Sequence, residues 1–186
     1  MLPRFIPLAC IGLLLASTYR LFDSAYFGLD DFNNLYWSQQ ESVGQIIGHL
    51  VNPLSASFRP MGMLCYWVVG KLFDLDPLPY RIFAWSIHAA NTALVYLILK
   101  RITKARSGAA AGAMLFSSQA AFADIYWSFG TIFELTCALL FFTGVLFWLN
   151  DRRSFVRIVI AAVLLLAALK AKEMAITLPV IWLMSD

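Results

Sequence analysis

The stretch IFAWSIHAANTALVYLIL, residues 82–99, contains no charged side chain and is bounded by Arg81 on one side and Lys100 on the other. A helix of about 20 apolar residues is long enough to cross the hydrocarbon core of a bilayer. This stretch therefore predicts a membrane-spanning helix, and that prediction sets the class of the whole chain.

The composition of the rest of the chain supports the same class. Of the 186 residues, 61% are hydrophobic and 13% are charged, whereas soluble domains are about 45–50% apolar and about 25% charged. A soluble fold of this size would lack the polar side chains needed to cover its surface. The net charge of +3 gives no sign of a nucleic-acid partner. The cysteines lie in apolar runs without metal-ligand spacing and are interpreted as packing residues: Cys10, Cys65 and Cys137.

Other apolar runs are separated by charged residues in the same way. They cover residues 5–19, 107–123, 125–150, 158–169 and 174–185, and the third of these is interrupted only by Glu134. We therefore predict an all-α, polytopic transmembrane bundle of about six spans that forms a single membrane domain over residues 1–186. The first run is interpreted as an uncleaved signal anchor, because no clean small-x-small cleavage site follows it.

The orientation of the bundle is predicted from its positive residues. The segment KRITKAR, residues 100–106, has four cations and no acid, and DRRSFVR, residues 151–157, has three cations and one acid. Alternating spans put both segments on one side, which is therefore predicted to be cytoplasmic together with the N-terminus. The loop of residues 23–81, with six acids and three cations, is then external.

This first external loop is too long for a simple connector and too apolar to be disordered. Its segment SVGQIIGHLV, residues 42–51, predicts a short amphipathic helix. The segment PMGMLCYWVVG, residues 60–70, is too short to cross the bilayer. It predicts an interfacial or re-entrant helix with Tyr66 and Trp67 in the headgroup belt.

The predicted topology brings acidic side chains from several regions to the external face. They are Asp30, Asp31, Asp124 and Glu173, with Glu134 a turn or two deeper. The aspartate pair has a structural alternative, because either member could N-cap a helix that begins near Phe32. Glu134 faces either a cavity or a basic partner on another helix, since ionisable groups at membrane depth are costly.

Several polar residues also allow two interpretations. Arg59 either binds a phosphate through its planar guanidinium or extends toward lipid headgroups. Lys172 and Glu173 either cap the following helix and neutralise each other, or contact a lipid phosphate. For His88 and Asn91, which share one helix face, we favour hydrogen bonds between helices over a catalytic role.

Five motifs follow one another in a fixed order along the chain. They are LDDF (29–32), FRPM (58–61), HAANTALVY (88–96), a W-x-x-G-x-x-x-E stretch (127–134) and KEMAITLP (172–179). In this order they resemble integral-membrane glycosyltransferases of the GT-C superfamily. The likeness extends to protein O-mannosyltransferases, TPR-containing membrane mannosyltransferases and bacterial polyprenyl-phosphate-sugar transferases, and it covers nearly the whole chain.

The resemblance implies a hexosyltransferase (EC 2.4 class) in a bacterial inner membrane, with its active site at the external, periplasmic face. Its donor would be a polyprenyl-phosphate-linked sugar, and its acceptor a hydroxyl of a glycan, lipid or protein. Asp30, or Asp31 if the register shifts by one, would be the general base. Arg59, with Lys172 in reserve, would bind the donor phosphate and stabilise it as it leaves. The reaction would invert the anomeric configuration.

Three further acids have accessory roles in this scheme: Asp124, Glu134 and Glu173. No metal ligand and no cofactor is assigned, and participation of a divalent cation is left open.

The sequence departs from the family pattern in two ways. The stretch SSQAAFADIYW, residues 117–127, lacks the His-Pro-x-His-x-Glu of the TPR-containing relatives, and its acid is Asp124. The chain is also short for this family, which leads us to expect an N-terminal fragment or a truncated reading frame without activity of its own. The alternative function is a non-catalytic scaffold or lipid-binding subunit of a larger membrane assembly. A transporter is not favoured, because no inverted repeat is visible.

Overall fold

The computed structural model describes residues 26–52, 55, 59–119, 125, 128–149 and 155–184. Over these residues the chain is all-helical and has no strand, as predicted. The α-helices of this part are α1 (Leu29–Gln40), α2 (Val43–Val51), α3 (Pro60–Phe73), α4 (Pro77–Thr103), α5 (Arg106–Ser117), α6 (Ile132–Trp148), α7 (Phe155–Ala171) and α8 (Leu178–Met184). Two 3-10 segments, Phe129–Thr131 and Glu173–Thr177, lead directly into α6 and α8.

Two stretches of the described chain are long and apolar enough to cross a membrane. They are Pro77–Thr103 and the continuous Phe129–Trp148. The predicted third, fifth and sixth spans correspond to helices that are shorter than a span: α5 has 12 residues, and the apolar segments of the other two are Ile158–Ala171 and Glu173–Trp182. A six-span bundle is thus not confirmed. The predicted first span, residues 5–19, and Cys10 lie outside the described residues.

Local chemistry extends α4 beyond the apolar run that predicted it. The Asp76 carboxylate accepts a hydrogen bond from the Leu78 amide at 3.1 Å, and Pro77 occupies the first helical position, where its missing N–H costs nothing. At the other end, the C-cap residue Lys104 adopts a left-handed backbone with φ of 55°. Lys100 and Arg101 lie in the last turn, where they complement the helix dipole.

Buried polar side chains connect α4 to its two neighbours. The Asn91 amide donates to the carbonyl of Leu135 in α6 at 3.0 Å, and His88 Nε2 lies 3.3 Å from the carbonyl of Ser117 in α5. Both side chains are buried. The interpretation of this pair as interhelical hydrogen bonds is confirmed.

The two short helices predicted in the first loop are present. Ser42 caps α2 by accepting a hydrogen bond from the Gln45 amide at 3.3 Å, while the Gln45 side chain accepts one from the Ser42 amide at 2.8 Å. The helix predicted at residues 60–70 is α3, but the prediction that Tyr66 lies in the headgroup belt is wrong. Tyr66 is fully buried, because α3 packs between α1 and α6 and turns this residue toward them.

The two described cysteines behave as packing residues. Cys65 Sγ lies 3.8 Å from the Thr136 hydroxyl, and Cys137 Sγ lies 3.6 Å from the Lys172 carbonyl. Both thiols are free of disulfides.

The close approach of α3 to α6 depends on a glycine. A Cβ atom added at Gly62 would lie 2.1 Å from Cδ1 and 2.3 Å from Cε1 of Phe133. The Phe133 ring is itself enclosed by neighbouring side chains, including Tyr66 at a centroid distance of 6.0 Å. No larger residue at position 62 therefore fits without moving this ring.

We predict that Gly62→Ala lowers the free energy of unfolding by about 1–3 kcal/mol, because overpacking a tight contact forces side chains or backbone to shift. The matched control is Gly48→Ala in the exposed part of α2, where an added Cβ meets nothing within 4 Å. That control should be neutral or should stabilise by about 0.5–1 kcal/mol through helix propensity. Thermal unfolding of the two purified variants in detergent measures the difference, and equal behaviour would contradict the packing argument.

Candidate functional site

The two aspartates of LDDF have different environments. Helix α1 begins at Leu29 with Gly28 as its N-cap, so neither Asp30 nor Asp31 is the N-cap, and the helix begins before Phe32. Asp30 is exposed and Asp31 is fully buried. Since successive residues of a helix point about 100° apart, one carboxylate faces the open side of α1 while its neighbour faces the core.

Asp31 joins three parts of the chain through its carboxylate. The Gly28 amide donates to Oδ2 at 2.9 Å, which secures the start of α1. The Tyr66 hydroxyl in α3 donates to Oδ1 at 2.7 Å. From the turn before α6, the Ser128 hydroxyl donates to Oδ1 at 3.3 Å and the Phe129 amide donates to Oδ2 at 3.2 Å. Such charge-assisted bonds are the strong ones among protein hydrogen bonds.

Tyr66 is a dependable donor to this carboxylate. Burial raises the pKa of its phenol far above the ordinary value, and the negative charge of Asp31 raises that pKa further. The nearby Asn34 side chain lowers that pKa to a smaller extent. The phenol thus remains protonated, and its hydroxyl stays available as a donor to Asp31.

A cation near the start of α4 balances the buried charge. Arg81 is 1% exposed, interacts favourably with the charge of Asp31 and donates a hydrogen bond to the Tyr26 carbonyl. A buried carboxylate is tolerated only when it is hydrogen-bonded and its charge is compensated. Both conditions are met at Asp31, which identifies it as the structural centre of the region.

Asp30 opens instead onto a cavity of about 650 Å³. Three parts of the chain form the walls, namely α1 with the residue that follows it, the start of α3, and the turn that leads into α6. The lining residues are Asp30, Asn33, Asn34, Trp37, Glu41, Arg59, Met63, Ser128, Gly130, Thr131, Phe133 and Glu134. A concave site with several converging polar groups is the usual form of a ligand site.

Ion pairs cross from this cavity to the segment between α7 and α8. Arg59 Nη2 lies 2.9 Å from Oε1 and 3.1 Å from Oε2 of Glu173, and Lys172 pairs with Glu134. Of the two interpretations of Lys172 and Glu173, a direct pair between them is not seen, because each side chain has another partner. Lys172 has an extended backbone, with φ of −160° and ψ of 144°, and successive side chains of an extended chain point to opposite sides.

Glu173 remains a charged partner for Arg59. A hydrogen bond from its own backbone amide lowers the pKa of the Glu173 carboxyl, and the nearby Arg59 lowers it further. The pair is partly exposed, with 24% and 66% of the two side chains accessible. Exposed ion pairs contribute little to stability, so this contact is easily exchanged for another.

Most of the predicted site residues come together at one end of the helices. Asp30, Arg59 and Glu134 line the cavity. Lys172 pairs with Glu134, and Glu173 pairs with Arg59. Asp31 is buried next to the cavity, where it contacts the lining residue Ser128. Asp124 lies outside the described residues. Glu134 was expected to face either a cavity or a basic partner. It does both, since it lines the cavity and pairs with Lys172.

Sequence reasoning did not identify the residues that hold the acidic pair. Ser128 lies inside the W-x-x-G-x-x-x-E motif. The motif therefore pointed to this turn, but it did not predict that the Ser128 hydroxyl bonds to Asp31. Tyr66 and Asn34 gave no signal, because their function depends on how α1 packs against α3. Among the described residues, no group of three or more His, Cys, Asp and Glu side chains is arranged to hold a metal ion.

No protein-family model, curated protein or solved structure matches this chain.

We predict that Asp31→Asn destabilises the protein by about 2–3 kcal/mol, because the neutral amide weakens the charge-assisted hydrogen bonds and leaves the buried Arg81 cation without its compensating charge. Asp30→Asn removes the same charge one residue earlier, from an exposed position, and should leave unfolding unchanged. Thermal unfolding in detergent compares the two variants. A loss of stability in Asp30→Asn equal to that in Asp31→Asn would contradict the division of roles.

Proposed function

We propose that the protein transfers a sugar from a polyprenyl-phosphate donor to an acceptor hydroxyl in this cavity, as in the GT-C glycosyltransferases that the sequence resembles. The observation that carries the proposal is the exposed Asp30 carboxylate. It lies at the edge of a polar cavity and is held in place by its buried neighbour. An accessible carboxylate on a rigid support is what base catalysis needs.

Asp30 is the general base in this proposal. One of its oxygens takes the proton of the acceptor hydroxyl as the acceptor oxygen attacks the anomeric carbon of the donor. The bond between that carbon and the phosphate oxygen breaks, and the polyprenyl phosphate leaves with the electron pair. Attack opposite the leaving group inverts the configuration. Asp31 is removed from this role, because its oxygens are occupied by four donors.

Arg59 is the group that receives the charge of the leaving phosphate. Guanidinium binds phosphate oxygens in pairs, and Arg59 lines the same cavity as Asp30. Glu173 contacts this guanidinium in the described structure, so a phosphate would compete with it. Lys172 offers a second cation next to Glu134.

The position of the cavity along the helices supports action at a membrane surface. Pro77–Thr103 and Phe129–Trp148 are the stretches that could span a bilayer. The first residues of both stretches lie near Asp31, as Arg81 and Phe129 show. Lys100, Arg101 and Lys104 are at the far end of the first stretch, on the side predicted to be cytoplasmic. We place the cavity at the external face, in a bacterial inner membrane.

We expect Asp30→Asn to reduce sugar transfer by about 10²–10⁴-fold, the usual contribution of a positioned general base. Binding of the donor should persist, because the carboxylate acts on the acceptor. Asp74→Asn is the control, since it removes one charge from an exposed residue outside the cavity and asparagine has nearly the same shape as aspartate.

Transfer of radiolabelled sugar from polyprenyl phosphate in the full-length protein checks this expectation. Undiminished transfer by Asp30→Asn would exclude it as the base. If the wild type binds the lipid but transfers nothing, the alternative of a non-catalytic lipid-binding subunit is favoured instead.

The competition at Arg59 gives a second expectation. Glu173→Gln should tighten binding of polyprenyl phosphate by about 2–5-fold, the equivalent of one exposed ion pair. Glu41→Gln removes another acidic group at the cavity that does not contact Arg59, and it controls for the general change in charge. Equal effects of the two substitutions, measured as equilibrium binding to protein in nanodiscs, would show that Glu173 does not compete with the phosphate.

A further inference from the structure

An exposed tryptophan on α1 forms one wall of the cavity. Trp37 is 58% exposed and lines the cavity together with Asn33, which lies one helical turn before it. The indole Nε1 donates to the Asn33 side-chain oxygen at 3.0 Å, and the Tyr36 ring packs edge-on at 5.5 Å. The indole therefore presents a surface to the cavity in a defined orientation instead of contributing to the core.

Polar groups surround this surface on the same side. Asn34 and Glu41 line the cavity on the α1 side. Asn34 lies close to Tyr66, whose hydroxyl is held by Asp31. A sugar ring has an apolar face of C–H groups that packs on an aromatic ring, and a rim of hydroxyls that bonds to amides and carboxylates. This wall offers both kinds of contact.

The charges around the cavity favour one class of sugar. Within the described residues, four carboxylates and two permanent cations lie in or against it, namely Asp30, Glu41, Glu134 and Glu173 with Arg59 and Lys172. Asp30 is in no ion pair with any described residue, and the partner of Glu41 at 3.5 Å is His49, which is charged only when protonated. Like charges brought together in a binding site oppose association.

We propose that the α1 wall of the cavity, formed by Asn33, Asn34, Trp37 and Glu41, binds the ring of a sugar that carries no negative charge. A neutral hexose or an amino sugar fits this wall, and an acidic sugar is rejected by the surrounding carboxylates. The identity of this sugar as a substrate rests on the proposed function, whereas its binding does not.

The test is equilibrium binding to the full-length protein in nanodiscs of neutral phosphatidylcholine. The probes are bare polyprenyl phosphate, polyprenyl phosphate that carries glucose, glucosamine or glucuronic acid, and free methyl glucoside. We expect the glucuronic acid form to bind at least about tenfold more weakly than the glucose form, because of like-charge repulsion. The glucosamine form should bind at least as tightly as the glucose form.

Replacement of the indole should weaken the contact with the ring. We expect Trp37→Ala to reduce binding of the sugar by up to about tenfold, and Trp37→Phe to retain part of it, since a smaller aromatic face remains. Gln40→Ala is the control, an exposed α1 residue outside the cavity, and should change nothing. Thermal unfolding of each variant shows whether the fold is retained.

The probes also identify which sugar is bound. Weaker binding of lipid-linked glucose in Trp37→Ala, with bare polyprenyl phosphate unaffected, supports the wall as the donor subsite. Weaker binding of methyl glucoside alone supports it as the acceptor subsite.

Equal binding of every sugar probe by Trp37→Ala and the wild type overturns the proposal. Equal binding of the glucose and glucuronic acid forms overturns it as well, when lipid-linked glucose is the probe that Trp37→Ala weakens. Failure of the proposed function would appear separately, as absence of transfer from every donor.

Discussion

The buried carboxylate of Asp31 is the constraint on which the rest of the region depends. An ionised group in the interior is costly unless every lone pair finds a donor and a cation lies nearby. Those requirements bring together the first turn of α1, the middle of α3 and the turn before α6, with Arg81 of α4 close by. If any of these elements moved away, the charge would lose a partner. The arrangement therefore has one low-energy form, and the cavity wall next to it is fixed.

The sequence predicted the helices better than it predicted their partners. The apolar run at residues 82–99 located α4, and Asp76 and Pro77 explain why the helix begins earlier. Residues of four motifs, namely LDDF, FRPM, the W-x-x-G-x-x-x-E stretch and KEMAITLP, lie in or against one cavity. The burial of Tyr66 and the separate partners of Lys172 and Glu173 could not be predicted, because they depend on which helix faces lie together. Length was the other limit, since three apolar runs that suggested spans form shorter helices over the described residues than the two candidate spans.

Buried hydrogen-bonded groups and partly exposed ion pairs both lie next to the cavity. Asp31 and Tyr66 next to the cavity are fully buried, whereas Glu134 and Glu173 are partly exposed and engaged in ion pairs. The buried groups hold Asp30 and the α1 wall in place, which lowers the entropic cost of orienting a substrate. The ion pairs of Glu134 and Glu173 are weak, so a charged ligand can replace them at little cost in free energy. Positioning and binding are thus carried by different groups of side chains.

The placement of Lys172 and Glu173 on adjacent residues has a mechanical consequence. A single peptide unit between α7 and α8 carries one charge toward α6 and the opposite charge toward α3. A displacement of that peptide changes both distances in the same event, so neither pair opens independently through backbone movement. A shift of this segment would therefore weaken the contact of Glu173 with Arg59 and the contact of Lys172 with Glu134 together.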